Sequence, residues 1–546
     1  MLKYRYLLLA ALVTTAAGFG LIHRDGARAG ADAATGGKPL AMFGVSPAHN
    51  MVNLVEKKVP AEWEAPKSAS DKGTNIKWIA KLGSVAYALT VSGDKAFIGT
   101  NNHSPRNKRD TRKRRDGKEE PLDKGILMCF NTADGKFLWQ HVNDKLESGI
   151  VNDWINEGVC STPTVEGDRL YYVSNRCEVV CLDVNGLANG NQGVQDEKYK
   201  ESTDADVIWH LDMIKEFNVF PHNMSACSPL VVGDTVYVVT ANGVDEGHIN
   251  IPVPDAPSFL AIDKATGKAK WKSNLPGRNI MHGQWSNPTL AVIGGKEQIV
   301  FPGGDGWIYG LEPATGKEIW KFDANPKDSK YELGGRGTRS DFIGTPCFYE
   351  GRIYIGTGQD PEHFDGVGHL WCIDPAGKTG DISPEVVTDH NSTPVKTKRN
   401  PNSGAVWHFG GAEKDPQAAS RDYVFGRTMS TCAIHDGLCY ACDLAGFLHC
   451  LDAKTGKLYW KYDNKSAVWG SPYWVDGKVY LGLEDGDVVI FDHGKDKYTN
   501  GPDGQPKAEP KKIEMGAGQV IRSTPVAVGG VLYVMTESHL FAIQKK

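Results

Sequence analysis

The sequence predicts an all-β chain folded as an eight-bladed β-propeller of four-stranded, WD40-like blades, with an N-terminal strand completing the C-terminal blade. Three observations carry that prediction. A short phrase closing on tryptophan recurs: GKFLWQHV at Trp139, DVIWHLDM at Trp209, GKAKWKSN at Trp271, GKEIWKFD at Trp320, GAVWHFG at Trp407 and GKLYWKYD at Trp460. A small residue followed by proline marks the start of most units. The last unit is cut short, and the phrase it lacks stands alone near the N-terminus as NIKWIAKL, around Trp78. Self-similarity at such a period means stacked supersecondary units.

The shortest unit, STCAIHDGLCYACDLAGFLHCLDAKTGKLYWKYD from Ser430 to Asp463, gives the grammar of a blade. A small-residue strand leads through a turn to an alternating aromatic and aliphatic strand. A third strand ends at Leu451-Asp452, and Thr455-Gly456-Lys457 turns the chain into the tryptophan strand. Period-two alternation bounded by Gly, Asp and Asn is the mark of strands, and four of this length make one blade. Aligned on the first strand, the units begin at Thr162-Pro163, Ser228-Pro229, Asn287-Pro288, Thr345-Pro346, Thr431-Cys432, Ser471-Pro472 and Thr524-Pro525, with a weaker copy at Ala88-Leu89. The propeller is expected over 74–546, and pairing of its two terminal segments in one blade removes exposed sheet edges. The recurring tryptophans are expected to pack between neighbouring blades. Blade seven has Ile513 instead, which predicts some loss of packing there.

The 546 residues, 40% hydrophobic, suffice for a large core. A formal charge of −5 sets up no global field for nucleic acid or membrane. Residues 1–29 read as a signal peptide: Lys3 and Arg5 precede an apolar run from Leu7 to Ile22, and Ala27-Arg28-Ala29 offers a cleavage site. An uncleaved anchor is the alternative, but the run is short for a bilayer. Residues 30–73 form a linker or N-terminal extension. This organisation predicts a periplasmic or secreted protein with no transmembrane span after cleavage.

Eleven cysteines in an exported chain invite a disulfide framework, but register argues against most of it. Cys129, Cys181, Cys372 and Cys450 share a third-strand slot that holds Ala261 and Gly310 in blades three and four, so the slot wants a small buried residue. Cys439 and Cys442 fall on strand positions and have no following His to attach a haem. A bridge among Cys160, Cys177 and Cys227 is left to geometry. The 16 histidines are scattered and expected at the surface or in hydrogen-bonded loops.

Function in such a fold is expected in loops on a rigid scaffold. The loops entering the inner strands are long and polar-aromatic: 150–160, 220–227, 277–285, 334–342 and 421–427. The second-to-third strand loops 101–124, 242–256 and 359–367 open on the same face. Glu157, Met224, Gln284, Asp341, Arg427, Trp469 and Arg522 converge on this mouth, with His282, Trp285, Arg278, Arg336 and Arg339 beside them. Two readings stand level: a ligand site, or polar groups that satisfy buried loop backbone and central waters. The basic loop Pro105–Glu120 lacks interleaved aromatics, so it reads as a solvated loop and not a nucleic-acid element.

The repeated xDxxTGKxxW phrase, eight units and terminal closure resemble the pyrroloquinoline quinone (PQQ) propeller repeat, and MFGVSPAHNMVN (42–53) resembles the stretch preceding the first blade in quinoproteins. That family includes quinoprotein alcohol dehydrogenases and BamB-type assembly lipoproteins. The resemblance implies calcium ligands at Glu178 and Asn242. It places the catalytic Asp in HGQWSNP (282–288), which has no carboxylate, and the quinone-polarising Arg at Gly304. The adjacent-cysteine pair of the family is absent. Without base and electrophile, hydride abstraction loses its support. The reading is therefore a non-catalytic binding or scaffold module whose partner is an envelope protein, a glycan or a small polar ligand. The alternative is a divergent PQQ- and calcium-dependent dehydrogenase with Glu157 or Asp341 as base.

Overall fold

The computed structural model describes residues 41–545 apart from 69, 361–362, 364–365, 412–420, 422, 501–505 and 517. The signal peptide expected over 1–29 lies outside the described residues. Eight antiparallel sheets of four consecutive blade strands form a ring. Blade one comprises Ala86–Ser92, Lys95–Asn101, Lys124–Asn131 and Phe137–Asp144. Blades two to seven span 164–212, 230–273, 289–323, 347–410, 433–463 and 473–514. Blade eight takes its inner three strands from 526–543 and its outermost from Ile76–Lys81, with Trp78 opposite Ala542. The inner strands of blades eight and one touch, which closes the circle. Among the described residues, no helix is long and apolar enough to cross a membrane.

The repeat phrase has a single packing explanation. Six of the seven repeat tryptophans donate to a backbone carbonyl in a turn of the following blade, and five of these indoles lie on a glycine there. Trp78 donates to the Thr132 carbonyl oxygen (2.9 Å), Trp139 to Val184 (3.1 Å), Trp209 to Lys264 (3.1 Å), Trp271 to Pro313 (2.8 Å), Trp407 to Ala453 (2.9 Å) and Trp460 to Gly494 (3.0 Å). A Cβ on Gly135, Gly267, Gly316 or Gly456 would come within 2.7 Å of the preceding blade's indole, and all four glycines have positive φ. Glycine is required there twice over, by backbone and by contact. The third-strand slot explains the cysteines: Cys129, Cys181, Cys372 and Cys450 pair directly across from Trp139, Trp209, Trp407 and Trp460. All eleven cysteines are free thiols.

Blade four breaks the pattern. Trp320 donates to its own blade's Gln298 Oε1 (2.7 Å) and lies over Gly310, where a Cβ would sit 2.1 Å from the ring. The cause is an insertion between the last two strands of blade five. Gly380–Asp381 pairs in parallel with the outer strand of blade four and occupies the surface on which Trp320 would dock. The glycine of blade five's own turn, Gly377, accordingly has nothing within 4 Å of its Cβ position. At blade seven the missing tryptophan is made good by Trp63, which is buried with Ile513, Met515, Val534 and Phe541.

Residues 41–53 run along the inner strands of most blades. The Ala41 carbonyl accepts from Val165 of blade two, Pro47 from Leu290 of blade four, and Ala48 from Phe348 of blade five. Val52–Asn53 then pairs with the inner strand of blade seven, and Asn53 Nδ2 donates to the Ala527 carbonyl of blade eight.

Candidate functional site

Loops entering the inner strands enclose a cavity of about 390 Å³ at the mouth, with Phe43 of the N-terminal segment in its lining. Its wall is aromatic, from Tyr87, Trp154, Trp285 and Trp469, with Met224 and Met429 between them. Five of the expected residues, Glu157, Met224, Trp285, Trp469 and Arg522, line it. Tyr87 Oη donates to Glu157 Oε2 (2.6 Å), and burial beside that carboxylate pushes the Tyr87 phenol up, so it stays protonated. The Arg522 guanidinium lies 4.5 Å from the centre of the Trp469 ring and is paired with Glu537 and, at 3.6 Å, with Glu484. Trp285 is fixed by its Nε1, which donates to the carbonyls of His222 (3.3 Å) and Met224 (3.2 Å). The Trp469 indole N–H, by contrast, is buried without a protein partner. Burial pushes the Cys160 thiol up, so the wall presents a thiol and not a nucleophilic thiolate.

Asp341, expected at the mouth, does not line this cavity; it is buried beside Asp360, which does, and the two form an acidic pair. Asp341 is buried with Oδ1 unpartnered, and burial together with the Asp360 charge raises its pKa well above the usual carboxylate range. Asp360 lines the cavity and receives Asn223 Nδ2 at 3.4 Å. A protonated acid beside a carboxylate is what like charges at short range produce.

Other expected residues serve elsewhere. Arg339 is buried in the scaffold, donating to Asp323 Oδ1 (2.6 Å), the Asp305 carbonyl (2.7 Å) and Ser329 Oγ (3.2 Å). Arg278 and Arg336 are exposed on the rim, Arg278 3.8 Å from Asp255. Arg427 is half-buried, with Nη1 donating to the His363 carbonyl (3.2 Å). The basic loop folds as a hairpin in which Arg112 pairs with Glu120 (2.5 Å), while Arg109 pairs with Glu201 (3.1 Å) and Asp204 of blade two. His282 joins His222 and His248 in a cluster that the scattered histidines of the sequence did not announce. Their ring nitrogens lie within 4.8 Å of one another. Burial holds His222 near 4 and His282 near 2, so both imidazoles are neutral at ordinary pH.

A quinone over calcium does not fit these residues. Glu178 lies in a different cavity, paired with Arg176 (3.4 Å), and neither it nor Asn242 lines the mouth. Asn242 spends its amide on loop backbone, accepting from Phe220 N (3.0 Å) and donating to the Val253 carbonyl (3.0 Å). At Gly304, where the resemblance places the arginine, a Cβ would come 2.5 Å from the Gly283 carbonyl oxygen, so no side chain can stand there. The cavity offers a tricarboxylate one arginine, already engaged, against two carboxylates.

Fold and site together define a PQQ-like β-propeller with an aromatic, acid-lined mouth. The sequence profile of the family described as outer membrane protein assembly factor BamB matches residues 123–385 and 395–546, so the chain belongs to this family of PQQ-like propellers. It is 24% identical over 341 residues to a tetrathionate hydrolase of Acidithiobacillus ferrooxidans, covering 56% of this chain and 62% of that protein. It is 22% identical over 255 residues to a polyvinylalcohol dehydrogenase of Sphingopyxis, covering 42% of this chain and 33% of the relative. The aligned regions thus span less than two thirds of either relative. A quinohemoprotein alcohol dehydrogenase from Pseudomonas putida superimposes with a TM-score of 0.54 at 12% identity, over 95% of this chain and 82% of that one. At that identity the likeness is one of fold.

Proposed function

We propose that the protein is an exported, non-catalytic binding module of the cell envelope, whose mouth captures a partner segment or small ligand bearing an apolar or aromatic group and a positive charge. The observation that carries this reading is the wall itself. Tyr87, Trp154, Trp285 and Trp469 offer apolar faces, while Glu157 and Asp360 set a negative sign that Arg522, already paired, does not offset. Aromatic faces favour flat apolar groups and cations alike. The assembly-factor description of the family supports a scaffold role, and the N-terminal apolar run with its small-residue site supports a periplasmic or secreted location. The test replaces Trp469 with a photoreactive phenylalanine analogue in growing cells, with Leu458 on an outer strand as control. Adducts confined to position 469, and reduced by Glu157→Gln, are expected. Absence of adducts at 469, or equal yields at both positions, would remove the mouth as the site.

A second reading rests on Asp341 and Asp360. Asp341 keeps its proton beside Asp360, and with Asp360 on the cavity wall such a pair can serve general acid–base chemistry. The similarity to a tetrathionate hydrolase supports hydrolysis as the reaction class. Consumption of tetrathionate by purified protein, abolished in Asp341→Asn, would establish it. No consumption at acidic or neutral pH would leave the binding reading.

A further inference from the structure

Three loops each contribute one histidine to a point beside the mouth cavity. His222 belongs to the loop entering blade three, His248 to that blade's second-to-third strand loop, and His282 to the loop entering blade four. The Nε2 of His248 lies 3.2 Å from that of His222 and 3.1 Å from that of His282. Proton counting shows why this is not a closed hydrogen-bond network. His222 Nδ1 must donate to the Val244 carbonyl (2.8 Å), so its Nε2 carries a lone pair facing the centre. His248 Nε2 has one proton at most and two nitrogens to face. It can donate to His222 or accept from His282, but not both. At least one contact among these nitrogens, two of them on buried rings, stays unsatisfied, and each such contact costs free energy.

A dication at the centre resolves the conflict. Tetrahedral coordination at a metal–nitrogen distance of about 2.0–2.1 Å sets ligand nitrogens about 3.3 Å apart, close to the two separations observed. The bond from His222 Nδ1 to a backbone carbonyl is the outer-shell contact that fixes the ligating tautomer. A further nitrogen is at hand: the His363 ring lies 5.6 Å from that of His282, and its Nε2 is buried without a partner. The surrounding backbone is fitted to the cluster. A Cβ on Gly243 would lie 2.6 Å from His222 Cβ, and one on Gly334 2.8 Å from His248 Cβ. We propose that His222, His248 and His282 bind one transition-metal dication of the zinc class through Nε2, with His363 as the fourth ligand. Neutral imidazoles without carboxylates select zinc, copper or nickel over magnesium or calcium. Trp285 bonds to the His222 carbonyl and lines the cavity with Asn223, so the metal stiffens one wall of the mouth.

The test uses the whole protein stripped with a chelator, then titrated with zinc chloride and, separately, with cobalt(II). One zinc per chain, a rise in the thermal midpoint, and the intense visible bands of tetrahedral cobalt are expected. His248→Ala, in a half-buried loop, should lose all three while its metal-free melting matches the parent. His363→Gln should keep cobalt binding with a shifted spectrum, which gives a second readout should His248→Ala misfold. The exposed His390→Ala is the control and should change nothing. Failure of the parent to bind zinc at micromolar concentration, or equal binding by His248→Ala, would overturn the proposal and leave the histidines a packed cluster only.

Discussion

Trp78→Ala is the sharpest test of how the ring is closed. The indole of Trp78 is 8% exposed, lies on Gly135 of blade one, and approaches Tyr533 of its own blade with ring centres 5.9 Å apart. Truncating a buried tryptophan to alanine costs about 3–5 kcal/mol. Loss of the bond to the Thr132 carbonyl belongs within that range and contributes about 1 kcal/mol. The carbonyl itself is not left unpaired, because Lys77 Nζ also reaches it (3.2 Å). An overall loss of about 4 kcal/mol is therefore expected from equilibrium urea unfolding. Trp320→Ala is the matched comparison: that indole is fully buried but bonds within blade four. Both variants should lose comparable stability. Only Trp78→Ala should also speed amide exchange across Ile76–Lys81 and His539–Ile543, since only it loosens the seam between blades eight and one. A loss below about 1 kcal/mol, outside the range for buried aromatics, would refute the closure argument, as would unchanged exchange in blade eight.

Two glycines separate backbone strain from contact. Gly456 and Gly377 have φ of +72° and +70°, but only Gly456 faces an indole, with its Cβ position 2.7 Å from Trp407. Gly456→Ala should cost about 1–3 kcal/mol more than Gly377→Ala in the same unfolding assay, and equal costs would remove the contact argument. Two buried carboxyls should contribute stability that falls as pH rises toward neutrality, against the opposite trend from buried histidines held low, such as His49 and His449 near 3. Burial raises the carboxyls of Asp305 and Asp443 from 3.8 to about 7, so between these values the native state holds more protons than the unfolded chain. Each group then lowers stability by up to about 1.4 kcal/mol per pH unit across that window, with no further loss above it. Asp443→Asn should remove its share and make the slope of melting temperature against pH more positive across that window, and an unchanged slope would place the proton elsewhere.

Much of the fold was legible because the docking of tryptophan on the next turn repeats. Trp, Gly and the small third-strand residue form one contact, and a contact made repeatedly leaves a period in the chain. The closure strand was legible for the same reason, since Trp78 is the repeat phrase without its three strands. What breaks the repeat was hidden. Nothing in GKEIWKFD says that Gly380–Asp381 displaces the docking of Trp320. Gly310 alone hinted at it, as the one slot residue smaller than Ala or Cys. Trp63 lies outside any repeat phrase, so its place beside Ile513 could not be read from periodicity. At the mouth, Glu157, Trp285, Trp469 and Arg522 were reachable by register, because each sits on a loop or strand entry leading into the ring. Arg339 misled, because loop position does not tell a ligand-facing guanidinium from one committed to Asp323. The histidines were invisible for a topological reason. One residue from each of three loops has no spacing to recognise until the ring brings the loops together.

The path of residues 41–53 bears on whatever occupies the mouth. With the segment bonded to blades two, four, five, seven and eight, and Phe43 in the cavity lining, residues 41–53 supply part of the cup's wall from outside the repeat. A change at Phe43 therefore reaches whatever lodges in the cup while leaving every blade's own sequence untouched.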